Sequence, residues 1–80
     1  MSNMKRWLRE RGISYKRLGN ALHLSDVSIN NKVNGYVPWQ YADLVQLREK
    51  YGLSSDFVND FIDYDEYFDH QAAEHEGVLA

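Results

Sequence analysis

One local pattern occurs three times in this chain and fixes most of what it can fold into: an apolar residue, a serine, three further residues, and a second apolar residue. The copies are Ile13-Ser14 with Leu18, Leu24-Ser25 with Ile29, and Leu53-Ser54 with Val58. A serine so placed accepts a backbone N–H of a helix's first turn. The apolar pair then closes as a hydrophobic staple across the cap. Helix stops agree with these starts: Gly12, Gly35 and Gly52 each fall where a left-handed residue ends a helix. After Gly12, Ile13 is placed to touch Leu8, the apolar contact of a Schellman stop. Pro38 suits the first turn of a new helix, where its missing N–H costs little. Together these signals predict helices near Ser2–Arg11, Tyr15–His23, Asp26–Asn34, Pro38–Tyr51 and Ser55–Tyr64.

Apolar spacing gives each helix an inner face. Leu18 and Leu22 lie one turn apart, as do Ile29 and Val33, and Leu44, Leu47 and Tyr51 form a stripe. Phe57, Phe61, Tyr64 and Phe68 continue at helical spacing, and Phe57 and Phe61 are candidates to pack on the first helix. Alternating strand patterns are absent. The expected fold is all-α, a compact five-helix bundle with Leu8, Leu18, Leu22, Ile29, Val33, Leu44 and Leu47 in its core. Trp7 and Trp39 read as core aromatics. Eighty residues make one small domain. We place it at residues 1–66, with residues 67–80 as an acidic, frayed tail.

Composition narrows the function. The chain has no cysteine, so disulfides, thiolate metal sites and a cysteine nucleophile are excluded. No apolar run approaches the ~20 residues of a membrane span, and the N-terminus lacks the apolar core of a signal peptide. A cytoplasmic location is the expectation. No Ser-His-Asp order, phosphate-binding glycine loop or carboxylate pair stands out, so the chain does not read as an enzyme, and no cofactor is implied. His70 and His75 lie near Glu66, Asp69 and Glu74, but their spacing does not put both on one helical face, and no metal site is assigned.

The net charge of −3 hides an asymmetry. Residues 1–35 carry Lys5, Arg6, Arg9, Arg11, Lys16, Arg17 and Lys32 against Glu10 and Asp26, a balance of +5. Residues 36–80 carry Arg48 and Lys50 against ten acids, a balance of −8. The first half can supply a phosphate-attracting surface. Within it, the helices on either side of His23-Leu24-Ser25 are joined so tightly that they read as a helix-turn-helix, the second helix entering a major groove. Ile29 and Val33 would face the core, leaving Val27, Ser28, Asn31 and Lys32 outward with Asp26 at the tip. Short amides, hydroxyls and methyls suit base edges.

The stretch from Gly12 to Gly35, GISYKRLGNALHLSDVSINNKVNG, resembles the helix-turn-helix of the lambda-repressor-like, or Cro/XRE, family of phage and bacterial regulators. The closing Asn34-Gly35, then Trp39, a helix and Leu53-Ser54, are similar to small prophage regulators of that type. The resemblance implies a five-helix fold and a sequence-specific regulator bound as a homodimer to double-stranded DNA. It places base reading on Asp26, Val27, Ser28 and Asn31. Phosphate contact falls on Tyr15 and Asn34, and Lys16, Arg17 and Lys32 add charge to that set. The sequence departs from the family at three positions. Gly19 is small where the two helices would cross closely; it stands for the usual Ala, expected to be a harmless loss of one methyl. His23 stands for the turn Gly and must take a positive φ at some cost. Asp26 stands for a frequent Gln, and its charge meets phosphate repulsion unless it finds a cytosine amine or serves only the helix dipole.

The acidic, aromatic segment from Phe57 to Phe68 supports a different function class. Tyr64, Tyr67 and Phe68 would form a surface that pairs two copies or docks on another regulator protein, as an antirepressor does. The two functions differ in which half of the chain works.

Overall fold

The computed structural model describes residues 2–69. Their secondary structure is all helix, with no strand among the described residues. The elements are α1 (Asn3–Arg11), α2 (Tyr15–Leu22), α3 (Asp26–Val33), α4 (Tyr41–Tyr51), α5 (Ser55–Val58) and α6 (64–69).

The caps are where the serine pattern puts them. The Arg17, Ser28 and Phe57 amides donate to Ser14, Ser25 and Ser54 Oγ at 3.0, 3.1 and 3.2 Å. Ser2 caps α1 in the same way through Lys5 N–H at 3.1 Å. At the other end of α1, Ile13 N–H reaches the Leu8 carbonyl at 2.9 Å, the Schellman bond that the Gly12 stop implies.

The start of α4 differs from the expectation. Pro38 is not in its first turn; the helix begins at Tyr41, because Asp43 Oδ2 accepts the Gln40 N–H at 2.9 Å and closes the N-terminus there.

The C-terminal third also differs, in number and course of helices. The expected single helix is two short ones. After Val58 the chain turns, with Asp60 at φ 63°. Asn3 is the reason. Its buried side chain donates to the carbonyls of Phe57 (3.0 Å) and Ile62 (2.8 Å), and its backbone N–H donates to Asp60 Oδ1 at 2.7 Å. The turn folds α6 back, so that the rings of Tyr64, Tyr67 and Phe68 lie 5.5, 4.5 and 5.6 Å from that of Phe57. Phe61, expected on the first helix, is instead 79% exposed at the turn. Tyr67 and Phe68 belong to the packed body, which therefore runs beyond residue 66. Residues 70–80, with the remainder of the expected tail and both His70 and His75, lie outside the described residues.

The core holds Leu8, Leu18, Leu22, Ile29, Val33 and Leu47 as expected, while Leu44 and Trp39 are half-buried against it. Met4, Trp7, Leu53, Phe57, Val58, Tyr64 and Tyr67 complete it. No described helix is long and apolar enough to cross a membrane.

Candidate nucleic-acid interface

The turn between α2 and α3 is built on His23 and Gly19. His23 takes the left-handed conformation, φ 60°, and Leu24 N–H then returns to the Gly19 carbonyl at 2.8 Å. That return brings the Leu24 carbonyl down onto Gly19. A Cβ at residue 19 would stand 2.4 Å from Leu24 O, well inside van der Waals contact. Gly19 is therefore required for the turn: the close crossing expected there is present, and the methyl's absence is not the harmless departure expected.

Burial along α3 defines its faces. Ile29, Lys32 and Val33 point inward. The opposite line is Val27, Asn30, Asn31 and Asn34, spaced i, i+3, i+4, i+7. Val27 is 63% exposed although it is apolar. The Asn31 side chain is half-buried and makes no hydrogen bond with a described residue. Its carbonyl accepts Tyr36 N–H (2.9 Å) and Val37 N–H (3.2 Å), which holds this loop beside the middle of α3. Tyr36 is 79% exposed there. Asn30 and Tyr36 were missed in the sequence. The i+3 step from Val27 would have found Asn30; nothing local signals Tyr36.

Three of the expected reading and phosphate residues are engaged otherwise. Asp26 is exposed, but its Oδ1 accepts Val27 N–H at 3.0 Å, so the carboxylate serves the helix's own first turn. Ser28 is half-buried and its Oγ accepts from Ser25 Oγ at 3.1 Å. Asn34 donates its amide to the Asn30 carbonyl and to Asn30 Oδ1, at 2.8 and 2.5 Å, which closes the end of α3.

Lys32 is the clearest correction. Expected outward, it is buried, with Nζ on the equally buried carboxylate of Asp43 and 6.0 Å from the Trp39 ring centre. The inner flank of α3 holds it, one turn beyond Ile29. Withdrawing it would leave Asp43 buried and unpaired, at ~3–5 kcal/mol by the cost of breaking such pairs. A good bidentate base contact returns only ~1–3 kcal/mol. Lys32 is thus a strut between α3 and the start of α4.

Lys16 and Arg17 are exposed in the first turn of α2 and form no ion pair with a described residue. Cations at a helix N-terminus oppose the helix dipole, and an anion held there satisfies both. Tyr15 beside them is half-buried against the core, which leaves only part of it available. Of the seven cations in the first half, Arg6 and Lys32 are ion-paired; Lys5, Arg9, Arg11, Lys16 and Arg17 form no ion pair with a described residue.

The surface expected at Tyr64, Tyr67 and Phe68 is also corrected. Tyr64 and Tyr67 are buried and Phe68 is half-buried. The Tyr67 hydroxyl accepts Ser54 N–H (3.2 Å) and donates to the Gly52 carbonyl (3.0 Å). Tyr64 donates to Glu10, and Arg6 lies 4.0 Å over its ring while pairing with Asp65 at 3.1 Å. Burial, and then the bond to Glu10, push the Tyr64 hydroxyl up to about 12. These aromatics close the bundle over α1 and do not stand out from it. Compared with models of protein families, with curated proteins and with solved structures, the chain matches none.

Proposed function

We propose that the chain is a sequence-specific DNA-binding regulator of the lambda-repressor-like type, with α3 in the major groove and the start of α2 on the phosphate backbone. One observation carries the reading: the outward line of α3 is Val27, Asn30, Asn31 and Asn34, with Val27 exposed although apolar and Asn31, half-buried, hydrogen-bonded through its side chain to no described residue. Lys16 and Arg17, exposed and ion-paired with no described residue, add positive charge one element away. An eight-residue helix is ~12 Å long. That is only about four base pairs at ~3.4 Å each. So short a reader gains specificity by acting twice, as a homodimer on a pseudo-palindromic site.

The antirepressor reading loses its proposed surface with the burial of Tyr64 and Tyr67. The test is selection from a random duplex library with the full chain, followed by titration of the selected duplex and a scrambled one. Tighter binding to the selected duplex by about a thousandfold or more is expected. Equal binding to both would overturn the proposal.

A further inference from the structure

We propose that α3 selects A·T base pairs and cannot make the bidentate contact that reads guanine. The inference rests on the DNA reading above and specifies its target. Guanine presents two acceptors, N7 and O6, in the major groove, and an arginine or lysine supplies the matching donors. The sole cation on α3 is Lys32. It is buried and held by Asp43 beneath the reading face. A carboxamide laid on guanine would set its own oxygen against an acceptor.

The outward groups fit A·T instead. Adenine sets an acceptor, N7, beside a donor, N6, and a carboxamide carries the complementary pair. Asn30 and Asn34 are bonded to each other, which leaves Asn31 as the amide on this line with neither function bonded to a described residue. Val27 stands one turn earlier on the same line, 63% exposed, with methyls suited to the C5 methyl that thymine alone carries. Val27 and Asn31 are ~6 Å apart along the axis. At ~3.4 Å per base pair, that spacing has them address base pairs about two steps apart. Asp26, which would favour cytosine, has its Oδ1 on the Val27 amide.

Modified DNA tests this without altering the protein. In the selected duplex, 7-deazaadenine at the critical adenine removes N7 and should weaken binding by about 5- to 150-fold. Replacing guanines by 7-deazaguanine should change nothing. Uracil for thymine should weaken the parent by roughly fourfold and leave Val27→Ala unaffected. Asn31→Arg should move the selected base from adenine to guanine. If 7-deazaguanine weakens the parent, or 7-deazaadenine and uracil do not, the A·T assignment falls while sequence-specific binding stands. If no duplex is preferred over another, both fall together.

Discussion

Gly19→Ala is the substitution whose sign the structure decides. In an exposed helix interior, alanine for glycine stabilises by ~0.5–1 kcal/mol through lower chain entropy. At Gly19 the new methyl would lie 2.4 Å from the Leu24 carbonyl oxygen. The neighbour is backbone, so it cannot rotate away as a side chain would. It is also tied to residue 19 itself, since Leu24 N–H bonds the Gly19 carbonyl at 2.8 Å. Relief means opening the turn and moving α3, and forced overpacking of this kind costs ~1–3 kcal/mol. Because the gap is so short, the upper part of that range applies, and the net loss is ~1–2 kcal/mol after the propensity gain. For a domain of this size each kcal/mol moves the melting temperature by ~4–8 °C. Thermal unfolding followed by circular dichroism reads this directly. A melting temperature raised by Gly19→Ala would show that the turn has room, and the close approach of α2 and α3 would be refuted.

Other substitutions test other joints. Lys32→Met leaves Asp43 buried without its partner and should cost ~3–5 kcal/mol in a urea titration, part of it recovered when Asp43→Leu is added. Asn3→Ala removes the donor to the Phe57 and Ile62 carbonyls and should cost ~1–3 kcal/mol, with α6 exchanging its amide protons faster. Tyr64→Phe should reshape the pH dependence. The folded chain keeps the Tyr64 proton up to about 12 whereas the unfolded chain loses it near 10.0. Stability from that group is therefore complete below pH 10.0 and falls as pH rises towards about 12. Glu10 has the opposite sign: the bond from Tyr64, with Arg6 beside it, holds its carboxyl below the ordinary 4.5. Its contribution is present above that value and is lost as pH falls through the lowered one. Both limbs should flatten in Tyr64→Phe when unfolding is measured from pH 3 to 12; unchanged limbs would contradict the contact.

What the sequence disclosed follows from range. Ser14, Ser25 and Ser54 cap helices through bonds to residues three places on, so local spacing reveals them. The stops at Gly12 and Gly52 are equally local. Gln40 with Asp43 was legible too, but Pro38 drew the helix start to itself. The failures are long-range. Nothing near Lys32 announces Asp43, eleven residues away on another helix. Nothing near Asn59-Asp60 announces Asn3, whose bonds across more than fifty residues hold the turn. The spacing of Phe57, Phe61, Tyr64 and Phe68 fits one helix as well as two folded against each other. Only the bend at Asp60 separates Phe61 from the rest. On α3 the periodicity of Ile29 and Val33 gave the inner face, and Val27 and Asn31 outward followed from it. Whether Lys32 sat beside that face or within it depended on α4.

The central claim is that α3 reads sequence while the start of α2 holds backbone, and one titration series separates the two. Asn31→Ala, and separately the pair Lys16→Ala with Arg17→Ala, are titrated against selected and scrambled duplexes at two salt concentrations. Asn31→Ala should lose ~1–3 kcal/mol on the selected duplex alone, with its salt slope unchanged. The lysine and arginine variant should weaken on both duplexes alike and lower the log–log salt slope by about 0.9 for each charge removed. If Asn31→Ala binds both duplexes as the parent does, α3 is not the reader and the account is wrong.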